Sequence, residues 1–219
     1  MVILGLTGSI AMGKTATAQM FARAGAVVFD ADAVVHALIG PGGAAVAAVD
    51  AAFPGCVRDS GHGPAAIDRA ALAARVFGDG AATVRLEAIL HPRVREAEGR
   101  FLRCAAGARR RLVVLDVPLL FETGGERRCD AAAVVIAPAF IQESRMRKRA
   151  GMSASRVAAV RGRQMGDQDK LRRADFVIPT GLGRALTLRR VRHIVTMLAH
   201  RKGRHWPPRG AARRRLLRG

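Results

Sequence analysis

The chain has 219 residues, 50% of them hydrophobic, which suits one domain of ordinary size or one core with an inserted subdomain and excludes global disorder. Lysine and arginine number 37 against 17 aspartate and glutamate, a net charge of +20, with 12 basic and no acidic residues after Asp175. No apolar run reaches the roughly 18 residues of a membrane span, MVILGLTGS lacks the marks of a secretory signal, and Cys56, Cys104 and Cys129 make no C-x-x-C pair, so a cytoplasmic protein without disulfides or a zinc site is expected.

Short apolar runs alternate with helical patterns, an α/β signature. Val2–Leu6 reads as a buried strand and Gly13–Ala24 as a helix with Ala16, Met20 and Phe21 on one face and Gly25 as its stop. Ala26–Phe29 is a second strand, ended by Asp30-Ala31-Asp32. Three helices are predicted next, over Asp32–Phe53, Asp68–Phe77 and Ala82–Cys104. The last carries an apolar stripe through Leu86, Leu90, Val94, Ala97, Phe101 and Cys104, and Pro92 is expected to bend or break it near His91. Leu112–Val117 and Ala131–Ala137 are strands followed by Pro118 and Pro138; Pro138–Met165 is an arginine-rich helical excursion. Phe176–Ile178 is a fifth strand, Gly183–His200 a closing helix, and Arg201–Gly219 a flexible basic tail.

The segment from Gly8 to Thr15 fits G-x-x-x-x-G-K-[ST], with a strand before it and a helix after it. Its glycines allow successive amides to aim inward as an anion cradle, and the helix start adds its positive end. Gly8, Ser9, Ala11, Met12, Gly13, Lys14, Thr15 and Ala16 are therefore candidate nucleotide-binding residues. Lys14 would reach the β- and γ-phosphates of ATP and Thr15 would hold Mg²⁺. The pattern predicts a three-layer P-loop NTPase fold with a five-stranded parallel sheet.

In such sheets ligands lie at the carboxyl ends of strands. Asp30 and Asp32 end the second strand, where a carboxylate can take a proton from a hydroxyl or bind Mg²⁺; the competing reading is that Asp32 merely caps the next helix. Asp116 ends the third strand and is either a metal-holding carboxylate of Walker B type or the partner of a nearby arginine. Glu122 is a further carboxylate at that end. Arg145, Arg147, Lys148 and Arg149 fall within five residues, which fits either a lid that neutralises a moving phosphoryl group, with Arg145 and Arg149 on one helix face, or a solvated basic face.

Taken together, these residues resemble the dephospho-coenzyme A kinase family over roughly residues 2–200. The phosphate loop, Asp30-Ala31-Asp32, Leu90-His91-Pro92, Pro118-Leu119-Leu120-Phe121-Glu122, the Gln142, Arg145 and Arg149 spacing, Arg163-Gln164-Met165 and Lys170 through Ile178 are similar to its motifs in order. The resemblance implies ATP-dependent phosphorylation of the ribose 3′-hydroxyl of dephospho-CoA. Asp32 maps to the base, with Lys14, Arg145 and Arg149 catalytic. Asp30, Asp32, His91, Pro118, Leu119 and Glu122 are expected at the substrate, and Thr15, Asp32 and Asp116 at Mg²⁺. It implies a nucleotide-binding core (1–32, 106–137 and 166–200), a helical CoA-binding insertion (33–105), a lid (138–165) and the basic tail (201–219). Two positions depart from the family pattern: Ala11 stands where glycine is common, and Pro179 where a polar residue is usual. A nucleoside or nucleoside-monophosphate kinase of the same fold is the nearest alternative. An ATP-switched nucleic-acid-binding protein is a second, resting on the charge and the tail. Otherwise the expected partners are ATP and dephospho-CoA, with no membrane, nonspecific contact of the tail with nucleic acid at most, and a monomer or small homo-oligomer.

Overall fold

The computed structural model describes residues 1–58, 63–148 and 162–207. The chain divides into two compact units, Met1–Phe29 with Cys104–Gly219, and Asp30–Arg103. No helix among the described residues is long and apolar enough to cross a membrane.

The first unit is built on strands that are apolar at nearly every position, as a sheet covered on both faces requires. β1 (Val2–Thr7), β2 (Val27–Asp30), β5 (Leu112–Asp116), β6 (Ala131–Ile136) and β7 (Phe176–Pro179) form a five-stranded sheet in the order β2-β5-β1-β6-β7. Parallel register pairs Leu4 with Val114 on one side and with Ala131 on the other, and Val134 with Val177. One face carries Val2, Leu4, Leu6, Leu112, Val114 and Ala133 against α1 (Lys14–Arg23) and the closing helix Arg184–Ala199, which supply Ala18, Phe21, Val191, Ile194 and Leu198. On the other face a Cβ at Gly5 would lie 2.6 Å from the Leu120 side chain, so the strand needs glycine there to admit the segment after β5. At its far end α1 closes as expected: Gly25 is left-handed, and the amides of Gly25 and Ala26 bond the carbonyls of Ala22 and Phe21 at 3.0 and 3.1 Å.

In the second unit, the helix expected over Asp32–Phe53 is two helices, α2 (Ala31–Ile39) and α3 (Val46–Ala52). The break falls at Pro41-Gly42-Gly43, where Gly42 is left-handed (φ 69°) and the Ala45 amide returns to the Leu38 carbonyl at 2.9 Å. A two-residue antiparallel ladder, β3 (Val57–Arg58) with β4 (Ala66–Ile67), precedes α4 (Arg69–Val76). Ile39, Val46, Val49, Phe53, Leu72 and Leu90 form this unit's own core.

Pro92 does not break α5, which runs unbroken from Gly80 to Gly107. The proline removes one helical amide and crowds the preceding turn. In that turn the Arg93 guanidinium donates to the Ile89 carbonyl at 2.8 Å, and packing of Leu90 into the core holds the helix across the defect. The segment expected to be a flexible tail is also corrected in part. Among its described residues, Arg204 and His205 donate their amides to Asp130 Oδ1 at 2.5 and 3.3 Å, and the other Asp130 oxygen takes the Ile3 amide at 2.7 Å. A carboxylate with two oxygens thus ties the Arg204–His205 segment to the base of β1. Residues 208–219 lie outside the described residues.

Candidate functional site

The loop between β1 and α1 is open to an anion because α1 begins without a side-chain cap. Gly13 is its N-cap in a left-handed conformation (φ 93°), and among the described residues no side chain bonds the first turn. The amides of Lys14, Thr15 and Ala16 therefore have no intrahelical acceptor and stand at the positive end of the helix. Space requires glycine at Gly8, while at Gly13 a crowded neighbourhood adds to the left-handed backbone. A Cβ on Gly8 would lie 2.8 Å from the Val135 carbonyl oxygen, and one on Gly13 3.1 Å from Thr180 Oγ1 and 3.2 Å from the Arg145 guanidinium. Ala11 is left-handed too (φ 61°); an L-residue gives up roughly 1 kcal/mol there.

The Met12 amide, expected among the phosphate donors, bonds the Ser9 carbonyl instead at 3.2 Å and closes a turn. The Met12 side chain is buried, with its sulfur accepting from the Ala137 amide at 3.0 Å.

Side chains far away in sequence brace this loop. Gln142 Nε2 donates to the Ile10 carbonyl at 2.8 Å, while the Ile10 amide donates to Gln164 Oε1 at 3.2 Å. Thr180 Oγ1 donates to the Met12 carbonyl at 2.5 Å. Arg145, on α6 (Ala139–Arg147), donates to the Ala11 carbonyl at 3.3 Å, to Thr180 Oγ1 at 3.0 Å and to the Thr180 carbonyl at 2.8 Å. Its guanidinium thus grips the loop's strained residue. Arg149 lies outside the described residues.

Lys14 Nζ is 2.5 Å from Asp116 Oδ1, so the loop lysine and the carboxylate at the end of β5 are an ion pair, with the Asp116 side chain 4% exposed. The Thr15 side chain is exposed and has no hydrogen-bond partner among the described residues. A hydroxyl beside the carboxylate-bearing end of the sheet is the hard oxygen chemistry that Mg²⁺ takes. Beneath the loop, Ser9 Oγ donates to Asp167 Oδ1 at 2.5 Å, and the wholly buried Lys170 reaches Ser9 Oγ at 3.1 Å and Glu122 Oε1 at 3.3 Å. Asp167 and Lys170 belong to α7 (Asp167–Arg173), and the closing helix is α8 (Arg184–Ala199).

Asp30, not Asp32, caps α2: its carboxylate accepts the Ala33 amide at 2.9 Å. Asp32 stands in the first turn, exposed and without a partner among the described residues. His91 is exposed on α5. The Pro118 carbonyl accepts from Thr7 Oγ1 at 2.9 Å, and the Leu119 carbonyl from the Thr123 hydroxyl at 2.8 Å. Glu122 Oε1 also takes the Met165 amide, at 2.7 Å. Pro118 and Glu122 thus serve contacts inside the first unit. Sequence reasoning passed over Thr180 and Asp167. Thr180 had one available signal, its place just after the carboxyl end of β7; Asp167 had none.

A family model described as dephospho-CoA kinase matches residues 2–182. The chain is 56% identical over 195 residues to a dephospho-CoA kinase of Rhodospirillum rubrum, covering 89% of this chain and 90% of that one. A Thermus thermophilus protein of known crystal structure is similar at a TM-score of 0.75 and 32% identity, over 92% of this chain and 98% of that one. A dephospho-CoA kinase from Campylobacter jejuni, at a TM-score of 0.60 and 20% identity over 90% and 96% of the two chains, shares the fold.

Proposed function

The chain belongs to the dephospho-CoA kinase family, and from this premise we propose that it transfers the γ-phosphoryl group of ATP to the ribose 3′-hydroxyl of dephospho-CoA, yielding coenzyme A and ADP. The observation that carries the reading is the start of α1 behind Gly13 and Lys14, which lacks a side-chain cap and is an anion site of the kind a triphosphate needs.

In this reading the amides of Gly13 to Ala16 and the Lys14 ammonium hold the phosphates. Lys14 exchanges its Asp116 contact for phosphate oxygens, a swap of one anionic partner for another. Asp32 orients the 3′-hydroxyl and accepts its proton as the oxygen bonds to phosphorus. The bond to the bridging oxygen breaks, and its electron pair leaves with ADP. The Asp32 carboxylate has no partner among the described residues, which leaves it open to the proton of the hydroxyl and supports the base role. Arg145 and Arg149 present positive charge to the transferring group, and a closed lid keeps water from taking the phosphoryl group. Thr15 and Asp116, with Asp32, would hold Mg²⁺, which when bound neutralises charge on the phosphates. His91 and the helical unit Asp30–Arg103 would bind the CoA moiety. Cys56, Cys104 and Cys129 form no disulfide, which supports a reducing, cytoplasmic setting.

The test is ADP release by the purified chain with ATP and Mg²⁺. Release that depends on dephospho-CoA supports the proposal; turnover of a nucleoside or nucleoside monophosphate in its place overturns it.

A further inference from the structure

Lys170 is the one fully buried cation among the described residues, and the reaction gives it no task. An ammonium withdrawn from water is costly unless it is paired and its protons find acceptors. Its acceptors here are Glu122 Oε1 at 3.3 Å and Ser9 Oγ at 3.1 Å. An ammonium only donates. The Ser9 hydroxyl must therefore accept from Lys170, and its own proton is directed to Asp167 Oδ1, 2.5 Å away. Glu122 is itself oriented by the Met165 amide at 2.7 Å. The proton positions along Glu122, Lys170, Ser9 and Asp167 are thus set in one direction.

Ser9 is the first residue after Gly8, and its carbonyl accepts the Met12 amide at 3.2 Å. Fixing the Ser9 side chain fixes the start of the turn that carries Ala11 and Gly13 into left-handed conformations (φ 61° and 93°). Such conformations persist only where the surroundings enforce them.

We propose that Lys170 is a positioning residue for nucleotide binding: through Ser9, and anchored by Glu122, it holds the phosphate loop in its anion-receiving shape before ATP arrives. This rests on the reading of the loop as an ATP site, and it moves Glu122 from the acceptor substrate to the nucleotide side of the reaction.

The experiment is calorimetric binding of ADP alone to the full chain, with no acceptor present. It is paired with thermal unfolding and with the KM for ATP and for dephospho-CoA. Ser9→Ala removes the bridge but leaves the Lys170–Glu122 ion pair. The double variant Lys170→Met with Glu122→Gln removes both charges together, so neither is stranded. Both are expected to bind ADP about tenfold more weakly, the loss of one charge-assisted hydrogen bond. The KM for ATP should rise in step, while the KM for dephospho-CoA and the melting temperature hold. ADP affinity equal to wild type in both variants overturns the proposal. So does a loss that tracks a fall in melting temperature and weakens both substrates alike, the mark of a merely structural lysine. A wild-type chain that binds ADP yet leaves dephospho-CoA untouched sinks the substrate reading alone, and the binding series still decides this one. A wild-type chain that binds no ADP sinks both.

Discussion

Gly13 and Ala11 show how narrowly single residues shape the loop. Both are left-handed, but only Gly13 is also crowded, with Thr180 Oγ1 and the Arg145 guanidinium within 3.2 Å of the place a Cβ would take. Ala11 survives because its carbonyl is held by Arg145. Gly13→Ala combines backbone strain with a displaced Arg145 brace, so a stability loss of about 1–3 kcal/mol and weakened nucleotide binding are expected, read by urea unfolding and ADP titration. Lys14→Ala and Asp32→Asn should each lower kcat by at least about a hundredfold. They should part on binding: Asp32→Asn retains ADP affinity, whereas Lys14→Ala loses it. Near-normal turnover by Asp32→Asn would remove Asp32 from the base role.

Among the elements, α2 and α4 are started by aspartates in the same way, Asp30 on the Ala33 amide and Asp68 on the amides of Ala70 and Ala71. The Ala71 and Ala70 amides, with a smaller contribution from Arg58, hold the Asp68 carboxyl below its ordinary value of 3.8, against the small opposing effect of burial. A carboxyl depressed in the folded state stabilises above its unfolded value, and that stabilisation is lost as pH falls through the depressed one. Asp68→Asn keeps an acceptor at the cap but has no proton to gain. Between about pH 5 and pH 2 the stability of the wild type should therefore fall more steeply than that of Asp68→Asn, by a small margin because the group is only partly buried and solvent screens it. Parallel slopes in urea unfolding would count against the cap as the cause.

For the whole molecule, the described part of the basic C-terminal segment is docked. Asp130 joins the amides of Ile3, Arg204 and His205. Truncation after His200 removes two of these three donors, together with eight of the 12 basic residues that follow Asp175. The melting temperature should drop by a few degrees, consistent with the loss of about 1 kcal/mol per hydrogen bond. Turnover should be unchanged, because none of the proposed site residues lies in the segment. Salt-sensitive retention on immobilised RNA, if the full chain shows it, should disappear. Lost turnover at an unchanged melting temperature would instead give the segment a part in catalysis.

What the sequence determined by itself was local. Five apolar runs became five strands, and Gly8 to Thr15 fell on a strand-to-helix turn, because burial on both faces and left-handed backbone are demands met by adjacent residues. Gly25 as the stop of α1 is legible for the same reason. Only the tertiary structure decided that Asp30 caps α2 and leaves Asp32 without a partner among the described residues, that α5 passes through Pro92, and that Arg204 and His205 dock on Asp130. It also chose the braces of the loop: Ser9 meets Asp167 across 158 positions and Lys170 across 161. No periodicity or motif spacing carries such a pairing. It follows from which side chains the packed sheet and α7 bring beneath one turn, and from the cost of leaving a buried charge without a partner.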